Sequence, residues 1–475
     1  MKRFVTAMLI LGLVFFGPFV SRSAASPFLE IAKQTGIDLV EENGVTVWKG
    51  KYAGKIKPKG PLAGKKIGLL VACEFSDWQA YYLSEFIGEF GGTPQFIMDN
   101  NHLWKNTRPM NGIRIPRGTW GLTLTEGMDG LGMNGNRVEY PVVLKEDPNL
   151  VAPGVPGKGT GSLKVADPTA YDALIILGSH SGDILVADDV ALKFIKAVAD
   201  RGVPIAGIGA GIMPMIHLDL LNGKKAVGNR TVDYMLRKVA VYQAGSVAVD
   251  GNIITGRDTY STPAVLRALC KLFAPNFVDH HKGILKGKKV MAMTAEDWED
   301  IELCAPTLEL MYRGAEIIVG LFDPIQKARP AMLDSEVRTG SFGTTIPFQE
   351  IPASYYRIIK AEDLKMSDFD ALWIHGAMNP WRLTVGTEAQ EFLKDAYAYG
   401  KIIAAICHGP IPPAAADLLQ GKHTAGWLAV EDSVKLMGGT FHADWAAAID
   451  GNYVSGQIPM HVPEFVDAIT EALLR

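Results

Sequence analysis

One chain of 475 residues spells out the same unit twice, and that repetition constrains its fold more than any other feature. GKKIGLLVACEFSDWQ, from Gly64, is matched by KGKKVMAMTAEDWEDIE, from Lys286. YDALIILG (171–178) is matched by FDALWIHG (369–376), and DGNIITG (250–256) by DGNYVSG (450–456). From Asp172 to Gly209 and from Asp370 to Cys407 the separation is the same, 37 residues, so the register between these landmarks carries no net insertion. Each copy closes on an amphipathic stretch, AVLRALCKLF in the first and EFVDAITEALL in the second.

Within a copy, apolar runs of four to seven residues alternate with helical stretches of about a dozen. Continuous rather than alternating apolar strands belong to parallel sheets covered on both faces. The runs KIGLLVA, ALIILG, PIAGI, VAVYQ and NIITG are the expected strands of the first copy. The reading is two tandem α/β three-layer sandwich domains with mainly parallel sheets, at 65–281 and 282–475. Residues 26–64 form a lead-in with one expected helix, SPFLEIAKQTG, and a Gly/Pro-rich insertion occupies about 100–168 of the first copy. Many such domains dimerise, and fusion turns that dimer into an intramolecular pseudo-dimer whose halves are free to specialise; further assembly stays open.

The formal net charge of −4 gives no reason to expect nucleic acid or an anionic membrane as a partner. Lys2 and Arg3 precede an uncharged apolar run, Phe4 to Val20, and Ser23-Ala24-Ala25 supplies small residues at a cleavage position. Residues 1–25 therefore read as a signal peptide, with export, as to a periplasm, and no stable membrane association after cleavage; a retained anchor is the alternative. Cys73, Cys270, Cys304 and Cys407 are too few and too scattered for a disulfide scaffold. No His or Cys pair has zinc-ligand spacing, so no metal and no cofactor is expected.

KIIAAICHG (401–409) is a buried run ending in Cys407-His408-Gly409, where VPIAGIGAG (203–211) has Gly209-Ala210-Gly211. Strand, tight turn and helix with a thiol at the turn is the nucleophile-elbow pattern. A following helix N-terminus is expected to lower the Cys407 pKa, its N–H groups to stabilise an oxyanion, and His408 to move protons. Cys73, Cys270 and Cys304 read as packed core cysteines.

WEDIELCAP (298–306), AICHGP (405–410) and DGNYVSG (450–456), in that order, resemble the ThiJ/PfpI superfamily, which has a class I glutamine amidotransferase-like, flavodoxin-like fold. The resemblance spans most of 286–475 and, more weakly, 65–275. It implies a nucleophilic Cys407, a mostly protonated Glu302 touching it, and His408 as a proton carrier. It also implies a range of activities: glyoxalase III-type conversion of methylglyoxal to lactate without cofactor, deglycase, hydrolase or peptidase chemistry, and non-enzymatic chaperone or redox-sensing roles through oxidation of Cys407. Substrates would be small carbonyl compounds, amides or peptides. The loop Gly376-Ala377-Met-Asn-Pro-Trp381, with Gly409, is expected to line the substrate.

In some relatives an acid from across a dimer interface completes a Cys-His-acid triad, five residues past the first glycine of that loop. Here the second copy has Trp381 at that place and the first copy has Asp183. The expectation is that Asp183 orients His408 across the interface; the alternative is a helix cap. The first copy has Gln79 for Glu302, Gly209 for Cys407 and Ala210 for His408, so it reads as a non-catalytic half. Trp427, His375, His423 and the pair His461/Glu464 are secondary candidates for pocket or base roles, each with a packing alternative.

Overall fold

The repeated apolar runs lie side by side as parallel strands in a computed structural model that describes residues 39–49, 59–72, 75–98, 108–110, 113–115, 161–163, 166–322, 338–339, 345–346 and 355–475. The expected helix at SPFLEIAKQTG, the leader, Cys73 and nearly all of the 100–168 insertion lie outside the described residues. The first sheet has the order Val247–Asp250, Ile253–Gly256, Ile205–Ile208, Ala173–Ile176, Lys66–Val71, Thr93–Met98, Gly161–Ser162. The second repeats it strand for strand: Trp445–Asp450, Tyr453–Gly456, Ile402–Ile406, Ala371–Ile374, Lys289–Thr294, Glu316–Leu321, Tyr356–Lys360. All pairings are parallel except those of Val247–Asp250 and Trp445–Asp450, which are antiparallel to their neighbours. Strands buried on both faces explain why the runs are continuously apolar.

Two features of this sheet differ from the sequence expectation. VAVYQ does not enter the main sheet: Val241–Tyr242 pairs with Lys225–Ala226 in a separate two-stranded ladder, with Val241 half exposed. The lead-in contributes a hairpin, Leu39–Glu42 and Val45–Lys49, turning at Asn43-Gly44 with φ of 52° and 80°. Its second strand adds antiparallel to Trp445–Asp450, so the lead-in extends the sheet of the second half, not of the first.

The halves meet through four helices, Asp77–Glu89 and Thr262–Phe273 from the first and Asp300–Tyr312 and Val462–Leu474 from the second. Asp77–Glu89 and Asp300–Tyr312 are buried over nearly their whole length, because each lies between its own sheet and its twin. A buried polar cluster crosses the seam. Glu309 accepts from Tyr82 at 2.6 Å, from Arg267 at 2.5 Å and from Arg313 at 2.9 Å, and Arg313 also pairs with Asp467 at 2.6 Å. Burial opposes ionisation of Glu309, but the two guanidinium groups outweigh it and hold its carboxyl at about 2.

Candidate active site

The elbow forms where Ile402–Ile406 ends and the chain reverses at Cys407, whose φ is +60°. That left-handed conformation costs a non-glycine residue about 1–2 kcal/mol and persists only where the surroundings impose it. Here they do: the Cys407 N–H donates to the Gly456 carbonyl at 3.1 Å, and its own carbonyl accepts from Trp427 N–H at 2.9 Å. Gly409 packs against the backbone of Ile374 and Ile406 so closely that no Cβ fits. That close approach lets the turn close.

Glu302 reaches the thiol from the first turn of Asp300–Tyr312. Its position follows from Pro306, which has no N–H to give the Glu302 carbonyl four residues back; Trp373 Nε1 donates to that carbonyl instead, at 3.1 Å. The Glu302 Oε2 accepts from Gly376 N–H at 2.5 Å, and a Cβ built on Gly376 would stand 3.0 Å from it. Only glycine lets the loop pass between carboxyl and sulfur. Burial pushes the Glu302 pKa up to about 8, although the Gly376 N–H and the thiol pull it down. At neutral pH this side chain carries its proton.

The expected lowering of the Cys407 pKa by a helix N-terminus is corrected by the structure. The helix after the turn, Ile411–Ala415, has five residues, and the thiol is 2% exposed. Burial, then the charges of Glu302 and Glu299, push the thiol up; the backbone N–H groups of His408 and Ala377 pull it down. Those two N–H groups, Ala377 also being left-handed at φ +54°, are the donors that a thiolate or an oxyanion at this corner would use. With Glu302 protonated, its own repulsion of a thiolate vanishes.

His408 Nδ1 lies 3.4 Å from Cys407 Sγ. Burial lowers its pKa to about 4, so the imidazole is neutral at neutral pH and able to accept a proton. Trp381 packs on it with ring centroids 5.0 Å apart, and Trp427 at 6.3 Å, so the two indoles and the imidazole form an aromatic rim over the sulfur.

Asp183 is not joined to this group. It sits on Ser181–Val186, the twin of Asn379–Leu383, and so occupies in its own half the place that Trp381 occupies beside His408. Ser181 and Asn379 anchor the two helices alike, accepting from the N–H of Ala72 and of Ala295. Asp183 is half exposed and pairs with His180 at 3.6 Å; no hydrogen bond or ion pair links it to His408. The loop serves the elbow of its own half, which is why the cross-interface pairing does not form here.

The first half keeps the same frame without the chemistry. Gln79 Oε1 accepts from Gly178 N–H at 2.9 Å, as Glu302 does from Gly376, and its amide donates to Thr259 Oγ1 at 3.1 Å. Gly209 has φ +58° and Ser179 φ +65°, close to Cys407 and Ala377. Of the secondary candidates, His375 is fully buried edge-on to Trp298, burial lowering its pKa to about 3. His423 hydrogen-bonds His442 at 2.8 Å, and His461 is buried at the start of the last helix. Glu299 and Trp373, absent from the sequence-based candidates, belong to the site; the acidic N-cap inside WEDIELCAP was the readable signal for Glu299.

Comparison with known proteins identifies the family. The family model described as the DJ-1/PfpI family matches residues 140–272 and 288–472. A protein named DJ-1 homolog D from Arabidopsis thaliana is 25% identical over 65% of this chain and 79% of its own length. A protein named Deglycase PfpI from Pyrococcus furiosus is 26% identical over 36% of this chain and 90% of its own. The solved ThiJ/PfpI domain protein of Brachyspira murdochii is 16% identical, covers 40% of this chain and 98% of its own, and superposes with a TM-score of 0.32.

Proposed function

From the premise that this chain belongs to the DJ-1/PfpI family, we propose that it is a cysteine-dependent enzyme with one active site per chain, acting on small carbonyl compounds in the manner of a glyoxalase III or deglycase. The observation that carries this reading is the set of three groups on one sulfur: Cys407, the proton-bearing Glu302, and the neutral His408 at 3.4 Å.

On a 2-oxoaldehyde the sulfur adds to the aldehyde carbon; the thiol proton passes to Glu302 as Glu302 gives its own proton to the new oxyanion, leaving a hemithioacetal and Glu302 protonated as before. His408 takes the proton from that carbon and returns it to the neighbouring one while the hydroxyl proton passes from the first oxygen to the second, so the first carbon is oxidised to a thioester as the second is reduced to an alcohol. Water hydrolyses the thioester, releasing the 2-hydroxy acid and the thiol. Electrons balance within the substrate, so no external oxidant is needed. The rim of Trp381, His408 and Trp427 over a nearly buried thiol favours a small substrate over an extended peptide. The leader-like residues 1–25 support placing this activity outside the cytoplasm.

The test is lactate formation from methylglyoxal by the full chain and by Cys407→Ala. Loss of lactate with the fold intact supports the proposal. Turnover that survives the substitution, or a wild-type chain inert on methylglyoxal and on glycated amines alike, would sink it and favour a role in which Cys407 is oxidised rather than acylated.

A further inference from the structure

Glu302 is not the only acid beneath the sulfur. Glu299 caps the same helix, its Oε2 accepting from the Glu302 N–H at 2.9 Å, while its Oε1 is buried without a hydrogen-bond partner. It is 3% exposed, and an N-cap needs no carboxylate: serine or threonine would do. The first half supplies that comparison within one chain. The twin of Glu299 is Ser76, whose hydroxyl meets Thr259 Oγ1 at 3.1 Å, and the twin of Glu302 is Gln79. Where the nucleophile is missing, both acids are replaced by neutral groups; where it is present, both are kept in spite of the cost of burying them together.

Several elements face this acid. On its own helix stand Asp300 and Glu302, and from the elbow comes Cys407. From the interface helix of the first half come Glu85, which acts electrostatically on Glu299, and Tyr81, one turn before it, which feels Asp300 and Glu299 together with Asp77 of its own helix. The Tyr81 hydroxyl is buried with no hydrogen-bond partner, a second polar atom directed into the same seam. Burial, then Glu302, Asp300 and Glu85, raise the Glu299 pKa well above the usual carboxylate range, against the Glu302 N–H.

We propose that Glu299 is a positioning residue for the reacting pair: buried at the N-cap of the Glu302 helix, with its Oε2 on the Glu302 N–H and its Oε1 unbonded, it holds Glu302 against Cys407 and biases the ionisation of that pair. Groups this close and this buried give up protons in shared steps, so deleting one acid lets the others ionise at lower pH. The inference concerns the acid that the first half replaces by Ser76. The inference rests on Cys407 and Glu302 being the reacting pair.

The experiment is the rate of iodoacetamide alkylation of Cys407 in the full chain, followed on the Cys407-containing peptide by mass spectrometry from pH 4 to 10. Glu299→Gln is expected to move the profile to lower pH by about one unit, Glu299→Ser, the residue the first half uses at this cap, to move it the same way, and Glu299→Asp, which keeps the charge, to stay nearer wild type. A purely structural cap would lower stability in the variants without moving the profile. Superimposable profiles in folded Glu299→Gln and Glu299→Ser overturn the inference. If Glu299→Gln does not fold, Glu299→Ser carries the test. Alkylation needs no substrate, so a shifted profile in a protein that turns nothing over refutes the enzymatic reading only.

Discussion

A Cβ placed on Gly376 would stand 2.8 Å from the Cβ and 2.9 Å from the Sγ of Cys407. The loop glycine and the nucleophile are thus fitted to one another, and neither can change alone. Gly376→Ala is expected to cost about 1–3 kcal/mol through overpacking and to set its Cβ against the Cys407 sulfur, screening it and slowing its alkylation. Gly178→Ala, the twin substitution, meets the Ile208 carbonyl and should destabilise the first half while leaving the alkylation rate unchanged. Urea midpoints and alkylation rates of the two variants check both statements.

Glu302→Gln should fold, since Gln79 makes the same contact with its own loop glycine. It cannot donate a proton, so turnover should fall by about 10²–10⁴, the usual worth of a general acid. The sign of the pH dependence follows from a pKa raised by burial from 4.5 to about 8. The folded state holds a proton that the unfolded chain has released, so this stabilisation is full below 4.5 and is lost as pH rises through 8. Wild type should therefore lose stability between those limits, and Glu302→Gln should lose less; denaturant titrations at several pH values read the difference.

Cys407 is held at φ +60°, and the same corner in the first half uses glycine at φ +58°. Cys407→Gly is expected to be more stable than Cys407→Ala by about 1 kcal/mol, because only the glycine escapes the left-handed penalty. Both should be inactive. Equal stabilities would mean that the turn is not strained.

The repeat, the layer architecture and the elbow were legible because each rests on local signals: apolar runs, a strand-to-helix turn and a second copy against which to align them. Cys407, His408 and Glu302 were read correctly as neighbours because they share a motif order. Asp183 was not, because sequence gives its place in the loop but not which elbow that loop serves; the twin relation with Trp381 decides it. The lowered Cys407 pKa failed for a related reason: burial is a property of the whole surroundings, and no single turn shows it. The hairpin at 39–49 could have been found, since Asn43-Gly44 between LVEE and VTVWK is a strong turn signal. Its docking on the distant strand Trp445–Asp450 could not.

Across the seam, Arg267→Met should cost about 3 kcal/mol, since it leaves the buried Glu309 with one guanidinium where it had two. The Glu309 pKa is lowered, so its contribution is present above 4.5 and is lost as pH falls through about 2. In Arg267→Met that acid limb should move to higher pH. Pairing the change with Glu309→Leu should recover part of the loss by removing the charge left behind, as acid-unfolding curves of the single and double variants would show.

The hairpin strand Val45–Lys49 finds its partner only when Trp445–Asp450 has been made, and Arg475 donates to Thr46 Oγ1 at 2.6 Å across 429 positions of chain. Loop-closure entropy grows only as the logarithm of length, so this contact is slow to find rather than weak once found. During synthesis, residues 39–49 must wait while both halves emerge from the ribosome. When Trp445–Asp450 is in place they pair with it, and the first half is then tethered to the second at both of its ends, through the sheet that carries the thiol.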